Sequence, residues 1–164
     1  MSAHDPAVWG RLQAVELRGV DDAAAVLAAQ PFSVLVGARV TAYEPGRAVL
    51  EIPLRPELLQ QFGFVHGGVL AYAADNSLTF AAGTVLGSSI VTTGFTIDYL
   101  RPGRGTLLRA AATVVDSSRR QALCRCEIVA VTEDGTETRV AAAQGGARVI
   151  DLDRRSGREP GSGS

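Results

Sequence analysis

Gly67-Gly68-Val69-Leu70-Ala71-Tyr72-Ala73-Ala74-Asp75-Asn76-Ser77-Leu78-Thr79-Phe80-Ala81-Ala82-Gly83-Thr84-Val85-Leu86 is the longest helix candidate in the chain. It is rich in alanine and leucine and apolar almost all the way round. A helix of that kind has to be buried on most of its sides. The rest of the chain must supply the cover.

Upstream, residues 5–30 carry helix-like apolar spacing, with Val8, Leu12 and Val15 and then Ala23 to Ala29 behind the capping-type pair Asp21-Asp22. This predicts two short N-terminal helices. From Phe32 the period becomes strand-like. Ser33 to Tyr43 and Arg47 to Leu54 read as strands flanking the turn Glu44-Pro45-Gly46. In the second of these, Ala48, Leu50, Ile52 and Leu54 alternate with Arg47, Val49, Glu51 and Pro53, giving one face more apolar than the other. Downstream of the helix, Ile90 to Leu100 alternates, with Val91, Thr93, Phe95, Ile97 and Tyr99 expected on one face. Thr106 to Val115, Gln121 to Val131 and Thr138 to Val149 complete the strands, joined by short turns that make the sheet mostly antiparallel.

The expected architecture is α+β: a curved sheet of five to six strands wrapped around one long helix, with short helices before it. The organisation divides into an N-terminal helical segment at 1–31, a sheet-and-helix domain at 32–150, and a polar, Gly- and Ser-rich tail at 151–164 expected to be disordered. One sheet around one helix leaves surfaces short of partners, and a second copy would supply them.

Composition bounds the function. The 164 residues suit one core, and 46% hydrophobic with 20% charged residues is the balance of a folded protein. A net charge of -1 argues against nucleic-acid binding, which needs a basic face. All 16 basic residues are arginines, so Schiff-base chemistry and a P-loop are excluded. Cys124 and Cys126, two apart on a strand, share a face and are badly placed to bridge each other. With only His4 and His66 beside them, a zinc site lacks ligands. The N-terminus has no basic segment followed by an apolar one, and the apolar stretch around Val69 to Leu86 is broken by Asp75 and Asn76. The expectation is a cytoplasmic protein that does not span a membrane.

The chemistry concentrates at the start and middle of the long helix. Between Arg55 and Arg101 the only acidic residues are Glu57, Asp75 and Asp98, and the only basic side chain is His66. Asp75 therefore stands alone among Ala71, Ala73, Ala74, Leu78 and Ala81. An unpaired carboxylate against apolar surface is costly, so function is one reason to keep it. A place on the helix's polar stripe, or a partner in Thr79 or Asn76, is the other. His66-Gly67-Gly68 opens the helix, where free N–H groups and bare glycines let a ligand approach and favour a developing negative charge. A tight turn against a neighbouring strand would account for the glycines too. Thr79, at i+4 from Asp75, lies on the same face and can hydrogen-bond the carboxylate or a water. Gln60, in the loop before the helix, could position a water or contact a carbonyl.

Gly67 and Asp75 are eight residues apart, or ~12 Å along a helix. Two groups acting on one carbonyl must each come within roughly 3 Å of it. One helix cannot bring them together, so joint action requires the helix start of one subunit to face the middle of another's.

Phe64-Val65-His66-Gly67-Gly68 followed by Asp75 resembles the signature of the hot-dog-fold acyl-CoA thioesterases, in the branch typified by the phenylacetate-pathway (PaaI) and 4-hydroxybenzoyl-CoA enzymes. The similarity covers Phe32 to Ile150. It implies that the Gly67 N–H polarises a thioester carbonyl and that Asp75 attacks it or activates water. Gln60, His66 and Thr79 match positions that orient the site, and a strand hydroxyl used by some relatives would be Thr92 or Thr93. Gly68, at the helix start, and the loop arginines Arg101 and Arg104 are candidates for holding coenzyme A, with the arginines toward its phosphates. The implied substrate is an aryl or medium-chain acyl-CoA, with no cofactor and no metal, hydrolysed by a homodimer or a dimer of dimers with shared sites. A hydratase pattern needs an Asp five residues before the histidine, where Gln61 stands. Ser77, Ser88 and Ser89 lack the setting of a serine nucleophile. A non-catalytic acyl-CoA sensor is the remaining alternative, and it has no evident use for Asp75.

Overall fold

The computed structural model describes residues 17–150. The elements, in chain order, are α1 (Val20–Ala28), α2 (Pro31–Val36), β1 (Arg39–Glu44), β2 (Arg47–Pro53), a 3-10 turn (Pro56–Leu58), α3 (Gly67–Leu86), β3 (Ile90–Tyr99), β4 (Leu107–Ser117), β5 (Gln121–Val131) and β6 (Glu137–Val149). The six strands form one sheet in the order β1-β2-β4-β5-β6-β3, and every neighbouring pair is antiparallel. The α+β reading holds, and the long helix has the bounds its sequence suggested.

Helix α3 lies in the curve of the sheet. Leu70, Ala73, Ala74, Leu78, Phe80, Ala81 and Ala82 are buried there. Facing them are Ala48, Leu50 and Ile52 of β2, Leu108, Ala110 and Ala112 of β4, and Ala122, Cys124, Cys126, Ile128 and Ala130 of β5. Alanines on both surfaces let backbone approach backbone, so the sheet closes tightly on the helix. Cys124 and Cys126 are unbridged and share the inner face. Burial pushes both thiols up to about 11. The outer face carries ion pairs instead, with Arg109 joining Glu51 on β2 to Glu137 at the start of β6. Among the described residues, no helix is long and apolar enough to cross a membrane.

Three readings need correction or restriction. Residues 33–43 are not one strand: Pro31 at the first helical position and left-handed Gly37 bracket a short helix, and β1 begins only at Arg39. That helix is held by Ser33, which is 1% exposed, donates to Gln30 Oε1 at 2.7 Å and accepts from the Tyr72 hydroxyl at 2.7 Å. The second correction concerns β3. Its register against β6 shifts between Thr92 and Gly94, where Gly94 has φ 153. This bulge moves the chain on by one residue, so Ile90 and Thr92 face inward before it and Phe95 and Ile97 after it. Val91 and Thr93 are therefore not on the Phe95 face. The earlier of the two expected N-terminal helices and the tail at 151–164 lie outside the described residues; the later one is α1, whose Ala23 and Leu27 join the core.

Candidate active site

Helix α3 positions two sets of groups at different heights. At its N-terminus, His66 is the cap, in extended conformation, and its Nδ1 accepts from the Gly68 N–H at 2.9 Å. A neutral imidazole accepting at Nδ1 carries its proton on Nε2. The His66 carbonyl accepts from Val69 at 2.9 Å and from Leu70 at 3.3 Å. Of the first-turn donors, the Gly67 N–H alone is left with no acceptor among the described residues. Tyr99, at the end of β3, lies over Gly67 and donates its hydroxyl to the Gly67 carbonyl at 3.1 Å.

Halfway along the helix, Asp75 is half-buried and does not stand alone. Thr92 Oγ1 donates to Asp75 Oδ1 at 2.7 Å, and the hydroxyls of Thr92 and Thr79 are 2.7 Å apart. Thr79 also lies 2.9 Å from the Asp75 carbonyl oxygen. With the proton of Thr92 on the carboxylate, the single proton of Thr79 has two acceptors within reach, the Asp75 carbonyl oxygen and Thr92 Oγ1. The two hydroxyls and the carboxylate form one short hydrogen-bonded cluster in which Thr92 is the donor to Asp75 Oδ1. Thr79 thus reaches the carboxylate only through Thr92, not directly as its spacing suggested. Thr93, one residue on, points to the other side of the sheet, into a depression with Asp116 and Gln121.

These two sets open into separate spaces. Asp75 lines a cleft of about 450 Å³ with Tyr72, Asn76, Phe95, Phe32 and Gln30. Gly68 also borders it. Gly67 lines a different groove of about 370 Å³, with Gln60, Phe64, Tyr99 and Arg101. The Gln60 side chain folds back, its Oε1 accepting from the Phe62 N–H. Arg101 reaches the Arg139 carbonyl at 3.2 Å, and Arg104 stacks on Phe64 with 4.2 Å to the ring centre. One chain therefore brings Asp75 to Thr92 and Thr79, and Gly67 to Gln60 and Arg101, but does not bring the two sets together.

The sequence reading missed the aromatic frame. Tyr72, one turn before Asp75, ties α3 to α2 through Ser33 and Gln30. Burial raises its phenol above the ordinary 10.0; the Ser33 hydrogen bond opposes this and the Asp75 charge adds to it. The i−3 spacing from Asp75 placed Tyr72 on the same face, which was the available signal. Tyr99 gave none, since its contact is to a residue 32 positions away.

Comparison with known proteins agrees with the fold. A profile of the thioesterase superfamily matches residues 62–137, from Phe62 through the long helix to the start of β6. The Mycobacterium tuberculosis protein Rv1847, provisionally named an esterase, is 30% identical over 130 residues, covering 76% of this chain and 89% of that one. A thioesterase family protein from Silicibacter pomeroyi superposes with a TM-score of 0.73 at 28% identity, covering 80% of this chain and 95% of the other. The PaaI protein of the Escherichia coli phenylacetic acid degradation operon does so with 0.68 at 26%, covering 80% and 92%. On the profile match, the identity to its relatives and the six-stranded wrap around a long helix, the chain belongs to the thioesterase superfamily and is a PaaI-like hot-dog thioester hydrolase.

Proposed function

We propose that the protein hydrolyses an acyl-CoA thioester at a site shared between two copies of the chain. The observation that carries this reading is the unpaired Gly67 N–H at the start of the same helix that holds a hydroxyl-bound Asp75 in its middle. Eight residues of helix, ~12 Å, separate them. A thioester carbonyl seated at Gly67 of one subunit would meet Asp75 of the other. The exposed edge of β3 and the exposed Phe32, Leu35, Phe62 and Tyr99 are surface that a second copy would cover.

In this mechanism Thr92 holds Asp75 Oδ1, leaving Oδ2 to take a proton from water as the water oxygen adds to the carbonyl carbon. The oxyanion that forms is met by the Gly67 N–H and by the helix N-terminus. The C–S bond then breaks and the coenzyme A thiolate takes up the proton. Gln60 and His66 orient the carbonyl, Gly68 keeps the helix start open to the substrate, and Arg101 and Arg104 hold the phosphates of coenzyme A. Thr93, on the far side of the sheet, has no part. The test is thiol release from a panel of aryl- and alkyl-CoA thioesters by wild type and Asp75→Asn. Asn can keep accepting from Thr92, so the substitution removes charge and basicity with little change of shape. Turnover should fall at least about 10²-fold. Wild-type turnover in Asp75→Asn would remove Asp75 from the reaction, and wild-type protein inert toward every thioester would remove the acyl-CoA reading.

A further inference from the structure

Behind the Asp75 cleft lies a second cavity, of about 220 Å³. One wall is a stripe of α3 made by Asn76, Thr79, Phe80 and Gly83, at i, i+3, i+4 and i+7. The stripe runs seven residues, or ~10 Å, away from the carboxylate along the helix. Val26 of the N-terminal helix α1 and Ala29, its C-cap, line the same cavity. Two residues, Gln30 and Asn76, line both this cavity and the Asp75 cleft, so the two spaces adjoin at them. Gln30 is not loose there: it is the terminus of the Tyr72–Ser33–Gln30 hydrogen-bond chain that anchors α2 to α3. Thr79 connects the cavity to the chemistry as well, since its hydroxyl supports the Thr92 hydroxyl bound to Asp75.

Resting on the thioesterase reading above, we propose that this cavity houses the acyl group and that helix α1 is its outer wall and sets the acyl length. The occupant follows from continuity and charge. The groove on the other side of the helix start carries Arg101 with Arg104 nearby and suits the anionic half of the substrate, whereas among the described residues this cavity has no charged side chain in its wall. Its size limits the acyl group. An apolar cavity of about 150 Å³ accommodates benzene. This one takes a six-membered ring with one or two further carbons, or an aliphatic chain of up to roughly eight carbons. Asn76, Gln30 and Thr79 stand toward Asp75, where the thioester enters; Phe80, Gly83 and Ile90 lie deeper, beside Gly87 and Ser88, so the far end is mainly apolar with one hydroxyl-bearing residue in its wall. The helices before the sheet, which have no place in the carbonyl chemistry, thereby acquire a role in selecting the substrate.

The test uses the full-length protein, with Val26→Phe and Ala29→Leu to narrow the cavity and Val26→Ala to widen it. Acetyl- to decanoyl-CoA and phenyl-substituted acyl-CoA thioesters are compared by kcat/KM. In the narrowed variants the longest accepted acyl groups should lose about tenfold relative to acetyl for each methylene no longer housed. Val26→Ala should move the optimum to longer chains. Profiles parallel to wild type in both Ala29→Leu and Val26→Ala would overturn the proposal. Ala29, at the helix end, carries the test if Val26→Phe does not fold. The same series as non-hydrolysable acyl-CoA thioethers, measured by calorimetry, separates the two hypotheses. A length profile that follows α1 in a protein that turns over no thioester would keep the cavity assignment and reject the activity. A flat profile would reject the cavity assignment, whatever the turnover.

Discussion

Thr92→Val is the most informative single change, because Thr92 and Thr93 are neighbours in sequence with opposite surroundings. Valine has the shape of threonine and the same β-branched preference for a strand, so the backbone of β3 has no reason to move. What disappears is one donor, 2.7 Å from Asp75 Oδ1, and one acceptor, 2.7 Å from Thr79. A hydrogen bond to a charged group is worth about 1.5–3 kcal/mol. If all of that is used to hold the carboxylate in line, kcat falls about 10- to 100-fold at 1.4 kcal/mol per decade. KM should change little, because the hydroxyl is bound to the carboxylate and not to the coenzyme A portion. Thr92→Ser keeps the hydroxyl and should recover most of the rate. Thr93→Val, on the outer face, should leave kcat within about twofold, as surface substitutions do. The assay is steady-state thiol release for the four proteins, with melting curves alongside. Equal rates in Thr92→Val and wild type would refute the hydroxyl chain; equal losses in Thr92→Val and Thr93→Val would show that the strand, and not the hydroxyl, is responsible.

Gly67→Pro removes the N–H while suiting the first helical position, and His66, at φ −63 and ψ 136, already has a conformation allowed before proline. Mixed and reassociated with Asp75→Asn, it should restore about a quarter of wild-type activity, from one intact site in half of the dimers; no recovery in verified mixed dimers would refute the shared site. Gly145→Ala places a Cβ 2.3 Å from Phe95 Cβ and 2.6 Å from the Gly94 carbonyl oxygen, so it should cost about 1–3 kcal/mol in urea unfolding and lower activity by displacing β3; an unchanged midpoint would contradict the packing. The Cys124 and Cys126 thiols at about 11 and the Tyr43 phenol at about 12 are all raised by burial above their ordinary 9.0 and 10.0. Raised values mean that their stabilisation is complete below pH 9 and is lost as pH climbs through 11 to 12, Cys126 alone contributing ~2–3 kcal/mol. Urea midpoints should therefore be level from pH 7 to 9 and drop above that; a level profile to pH 11 would refute the assignment.

Local pattern was enough for the long helix, the strand order along the chain and the mid-helix position of Asp75. A twenty-residue apolar run bounded by glycines has one economical conformation, and strands separated by short turns have to pair antiparallel. The resemblance to the thioesterases rested on the same helix and is matched by the relatives. Other features were decided by partners far away in the chain. Helix α2 has six residues, too few for a periodicity, and Tyr72, 39 positions from Ser33, helps to hold it. Whether Thr92 or Thr93 meets Asp75 depends on a bulge in the β3–β6 register, and a one-residue shift exchanges the two faces of a strand. That Gly67 keeps a free N–H while Gly68 does not depends on the rotamer of His66. The cavity behind Asp75 is walled by the stripe from Asn76 to Gly83 together with Val26 and Ala29, residues about 50 positions away in the chain. Periodicity records which residues prefer to be buried; which of them meet is settled by register and packing between segments that the linear chain keeps apart.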